Sequence, residues 1–86
     1  MLHKLNFIDS REENVEPTYF VIVKETPAKY HLDMISYILT FLYESRCFAY
    51  EDEVYDLIIY LLEKLGYTII TEEDEKCEVQ EITISF

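Results

Sequence analysis

Three observations predict an α+β fold, an antiparallel sheet with a two-helix hairpin packed on one of its faces. Segments with strand-like alternation stand at both ends of the chain, and two segments with helical periodicity stand between them. The whole runs to only 86 residues, with one Gly and two Pro, which leaves no room for long structured loops. Hydrophobic residues make up 50% and charged residues 29%, the balance of a chain that folds, and the length fits a single domain spanning residues 1–86. A chain of this size buries only about 60–65% of its unfolded surface, so each large apolar side chain matters.

In chain order, Leu2 to Ile8 alternates Leu5 and Phe7 with Lys4 and Asn6 and is predicted as a short strand. The run Tyr-Phe-Val-Ile-Val within Thr18 to Glu25 is β-branched and aromatic, with apolar residues on both faces, which predicts a central strand. Thr26 and Pro27 have the pattern of an N-cap and a first helical residue, so helix one is expected to start there and to end near Glu44 or Ser45. Its polar residues Lys29, Asp33, Ser36, Thr40 and Glu44 form one narrow stripe, so the helix should be covered on more than one side. Glu51-Asp52-Glu53 opens helix two, where carboxylates suit the positive end of the dipole, and Gly66 stops it after Leu65. Val54, Leu57, Ile58, Leu61, Leu62 and Leu65 form its inward face, and Glu53, Asp56, Tyr60 and Glu63 its outward stripe. Tyr67 to Thr71 and Cys77 to Phe86 are expected as two strands of a hairpin around the acidic turn Glu72 to Lys76, with a bulge near Gln80-Glu81 restoring the phase of Ile82, Ile84 and Phe86.

Motifs for chemistry are sparse. Cys47 and Cys77 show neither C-x-x-C nor zinc-finger spacing and are expected to be reduced and largely buried. The histidines are His3, near a frayed N-terminal end, and His31, in the first turn of helix one; a Cys47–His31 pair is the only nucleophile–base combination in view, and a buried thiol with a surface imidazole is the better reading. No enzymatic activity is expected. The run Glu72-Glu73-Asp74-Glu75 lacks the glycine and the spacing of a calcium loop, so no metal or other cofactor is expected either. The N-terminus lacks the apolar stretch of a signal peptide, and Met34 to Tyr43 is about half the ~20 residues that span a membrane. A cytoplasmic protein without a membrane partner is the expectation. Ten Ile and eight Tyr beside two Ala resemble the bias of an AT-rich genome, which suggests a phage or other mobile element.

Charge carries the functional expectation. Eighteen acidic against seven basic residues give −11, and the seven cations are scattered, which argues against direct nucleic-acid binding. Residues 1–50 hold seven acids and five bases, whereas residues 51–86 hold eleven acids and two bases. A surface of ordered carboxylates can instead occupy the basic groove of a nucleic-acid-binding protein. The expected contact residues are Glu51, Asp52, Glu53, Asp56, Tyr60, Glu63, Glu72, Glu73, Asp74 and Glu75; among Tyr37, Tyr43, Tyr50, Tyr55 and Tyr60, bordering the core is the commoner role, and Tyr60 and Tyr50, which flank the acidic stripe, are the first candidates for anchors. The expectation is a small acidic inhibitor that binds a basic, nucleic-acid-binding enzyme, as a DNA mimic or phage anti-defence protein does. The alternatives are an immunity or antitoxin protein against a basic nuclease, or a homodimer whose acidity serves solubility.

Overall fold

The computed structural model describes residues 1–10, 19–47, 51–71 and 78–86, and for Glu51 the backbone alone. It is an α+β structure: β1 (Leu2–Ile8), β2 (Tyr19–Val23), α1 (Lys29–Glu44), α2 (Glu51–Lys64), β3 (Ile69–Ile70) and β4 (Val79–Ser85). The sheet order is β3-β2-β1-β4.

The sheet is mixed, which corrects the antiparallel expectation. β1 pairs antiparallel with β2, and β2 with β3, but β4 runs parallel to β1, from Leu2 opposite Val79 to Ile8 opposite Ser85. β3 and β4 therefore form no hairpin; they are the two outer strands, and the chain passes from one edge of the sheet to the other between Ile70 and Val79. The cause lies in β1, which carries the fully buried Leu5 and Phe7 and whose backbone edge away from β2 needs a strand partner for its N–H and C=O groups. β4 supplies it, placing Ile82 beside Leu5 and Ile84 beside Phe7. Leu2 N–H donates to Glu78 O, and Ser10 N–H and its hydroxyl both donate to Phe86 O, carrying the pairing past both strand ends. The register is unbroken, so no bulge is present: Val79 simply shares the outer face with Leu2.

Both helices cover one face of the sheet. Leu32, Ile35 and Leu39 of α1 and Val54, Ile58 and Leu62 of α2 join Leu5, Phe7, Val21, Val23, Ile84 and Phe86 in one core. Each fully buried large side chain there contributes roughly 1.5–3 kcal/mol. α1 lies toward β4, since Ser36 Oγ donates to Ser85 O at 2.7 Å. α2 lies toward β3, where Tyr55 and Ile59 share the lining of a groove with Ile69 and Ile70. The helices run antiparallel: Tyr67, just past α2, brings its hydroxyl 2.7 Å from His31 Nδ1 in the first turn of α1.

Helix α1 begins later than Thr26. Its N-cap is Ala28, and the Thr26 hydroxyl lies 3.2 Å from His3 Nε2 instead. His3 is not at a frayed end but buried on the core face of β1, between Val23 and Gln80. Both helices end alike. Arg46 N–H donates to Tyr43 O and Cys47 N–H to Leu42 O, and Gly66 N–H donates to Glu63 O and Tyr67 N–H to Leu62 O. This arrangement needs a left-handed residue after the cap, which is Gly66 at φ 96° in one case and Arg46 at φ 54° in the other.

Candidate functional site

On α2, about 100° of rotation per residue sets Asp52, Asp56, Tyr60 and Glu63 opposite Val54, Ile58 and Leu62. Asp52, Glu53, Asp56, Tyr60 and Glu63 are all exposed. Asp52, Asp56 and Glu63 repeat at about 6 and 10 Å along the axis. The one cation of the helix, Lys64, sits with its Nζ 5.5 Å from the Tyr60 ring centre. Five acids against this single base over Glu51–Lys64 make the outer surface of α2 an acidic ridge. Glu51 lies at its start, with its side chain outside the described atoms, and Glu72, Glu73, Asp74 and Glu75, like Tyr50, lie outside the described residues.

The acids of the C-terminal strand are elsewhere. β4 is at the edge away from β3, and Glu81 is on the sheet face opposite the helices, 3.9 Å from Lys4 Nζ and 3.5 Å from Asn6 Nδ2. The negative charge of residues 51–86 therefore divides between at least two surfaces.

Helix α1 presents a different surface. Tyr30, Met34, Tyr37 and Phe41, spaced i, i+4, i+7 and i+11, point away from its buried side and are 70%, 39%, 71% and 57% exposed. The polar stripe lies on the flank toward β4, where Lys29, Asp33 and Ser36 line a cleft with Ile82 to Ser85 and Ser36 bonds across it to Ser85 O. Within the described residues nothing covers the aromatic side, although periodicity implied cover on more than one side. Tyr37 is among the tyrosines the sequence offers as either core border or anchor; Tyr30, Met34 and Phe41 are not, and all four are exposed. Of the other expected tyrosines, Tyr55 is part-exposed beside α2's contact with β3, and Tyr43 is half-buried with its hydroxyl 3.4 Å from that of Tyr19.

The groups weighed for catalysis are apart. His31 stands in the first turn of α1 and Cys47 beyond its last, so at ~1.5 Å per residue roughly 20 Å of helix separates them. Cys47 is exposed rather than buried, and half-buried His31 is held against Tyr67 Oη, which also accepts Ala28 N–H at 2.9 Å. A groove of about 510 Å³ lies between α2 and the β2–β3 pair, lined by Phe20, Ile22, Tyr55, Ile59 and Ile70. Its one ionisable amine, Lys4, is engaged by Glu81 and by the Phe20 ring 4.7 Å away. Among the described residues no group of three metal-ligating side chains converges, and no helix is long and apolar enough to cross a membrane.

No protein-family model, no curated protein and no solved structure matches this chain.

Proposed function

We propose that the protein acts by binding, docking the acidic ridge of α2 onto a basic protein surface of the kind that otherwise holds nucleic acid. The observation that carries this reading is the exposure of Asp52, Asp56, Tyr60 and Glu63 along one outward face of a helix whose own sequence holds one cation, Lys64. Carboxylates fixed on a helix keep a spacing of the same order as successive phosphates, so a groove built for a nucleic-acid backbone offers them cations at matching positions. Tyr60 supplies an aromatic anchor among the charges, its ring already arranged for a cation. An inhibitor of a nucleic-acid-binding enzyme and an immunity protein against a basic nuclease use the same surface.

The test is capture from the source cell at low salt and again at high salt, with the wild type and with Asp56→Lys/Glu63→Lys. A basic, nucleic-acid-binding protein should be captured by the wild type at low salt, released by salt and ignored by the variant. Capture that survives both salt and charge reversal disproves the reading.

A further inference from the structure

The two helices place an aromatic ridge beside the acidic one, and neither is needed by the core. Tyr30, Met34, Tyr37 and Phe41 run about 16 Å along α1 at helical spacing. Asp52, Asp56, Tyr60 and Glu63 run along the neighbouring helix on the same outer side of the layer. Packed helices are separated by about 8–10 Å, so the ridges flank one shallow furrow. Because the helices are antiparallel, Tyr30 stands at the same end of the furrow as Glu63, and Phe41 at the same end as Asp52.

We infer that this furrow receives a cationic amphipathic helix of a partner protein, its apolar side chains seated on the α1 ridge and its Lys and Arg side chains on the α2 ridge. The inference rests on the acidic-face reading above and adds the chemistry of what binds there. The i, i+4, i+7, i+11 row on α1 is the pattern that grips the apolar stripe of another helix. The charges then select a basic partner. A second copy of this chain fits the furrow poorly, because it brings no cations to the α2 ridge: a two-fold perpendicular to the helices sets Asp52, Asp56 and Glu63 against the same carboxylates, a two-fold parallel to them sets the aromatic row of α1 there instead, and each chain carries −11.

The experiment measures fluorescence anisotropy at low salt with two labelled probes, a Leu/Lys amphipathic peptide of about four turns and an oligolysine of equal charge. The wild type should bind the amphipathic probe about tenfold more tightly, since truncating a central aromatic anchor commonly costs that much. Tyr30→Ala/Tyr37→Ala/Phe41→Ala should erase the preference while leaving oligolysine binding unchanged, and Asp56→Lys/Glu63→Lys should weaken both. Tyr37→Ser alone, which removes one exposed ring, reads the same preference if the triple variant fails to fold. Equal binding of the two probes by the wild type, or a preference that survives in the triple variant, overturns the composite furrow and leaves the acidic-face reading standing. Failure of the wild type to bind either probe removes the acidic-face reading as well. A mass of twice 10.4 kDa by light scattering that drops to the single-chain value in the triple variant overturns the inference in favour of a second copy.

Discussion

Glu25 and Thr68 close the sheet where β2 leaves it. The Glu25 carboxylate accepts the Thr68 backbone N–H at 2.7 Å and the Thr68 hydroxyl at 2.7 Å, and Lys24 N–H donates to Thr68 O beside them. These bonds favour the charged form: the Thr68 backbone donor first, then its hydroxyl, hold the Glu25 carboxyl below its ordinary value of 4.5. A carboxyl whose value is lower in the folded than in the unfolded chain binds more protons when unfolded. Its stabilising effect is therefore present above pH 4.5 and fades as the pH falls through the lower folded value. Glu25→Gln should melt at a lower temperature than the wild type at neutral pH, and the gap should close on acidification below pH 4.5. Melting curves from neutral to acid pH check this; a gap that stays constant would show that the contact acts through shape alone. Tyr67 has a comparable bridging role, since its hydroxyl reaches Ala28 and His31 across the start of α1.

At the scale of elements, the two helix ends make a matched comparison. The same pair of backbone hydrogen bonds ends both helices, but Gly66 accepts positive φ without cost whereas Arg46 carries a Cβ into the left-handed region. Arg46→Gly should therefore raise stability by about 0.5–1 kcal/mol, and Gly66→Ala should lower it by about 1 kcal/mol. A Cβ built on Gly66 meets nothing within 4 Å, so that loss would come from the backbone alone. Urea denaturation of the two variants measures both, and a stabilising Gly66→Ala would contradict the account. Gly66 was legible as a stop because glycine announces this conformation; nothing about arginine does. The same contrast runs through the fold. Both helices and β1 follow from local periodicity, and so does the outward phase of Asp56, Tyr60 and Glu63. The pairing of β4 with β1 is non-local, and the nearness in sequence of β3 and β4 suggested a hairpin instead. On α1 the narrow polar stripe implies apolar residues covered on more than one side, but Ser36 and Thr40 satisfy their hydroxyls on Ser85 O and Ser36 O, so that flank can lie toward the sheet and Tyr30, Tyr37 and Phe41 are left exposed.

For the whole molecule, −11 on 86 residues sets two salt effects against each other. Like charges destabilise the compact state, and Asp52 and Asp56, four residues apart on one helix face, repel locally as well. Raising ionic strength from 0.1 to 1 M shortens the Debye length from about 10 Å to about 3 Å, less than the ~6 Å rise between those two positions. The melting temperature should accordingly climb as NaCl is added, while binding of a cationic partner weakens over the same range, because the carboxylates that repel each other are the ones that attract it. Chloride is the salt to use, since sulfate would raise the melting temperature through burial of apolar surface whatever the charge. Asp56→Lys/Glu63→Lys moves the net charge by four and should blunt both slopes together. If the melting temperature rises with salt in wild type and variant alike, the repulsion is spread over the molecule and is no property of the α2 ridge. If it falls in the wild type, the carboxylates are already compensated by contacts within the fold and have little left to offer a partner.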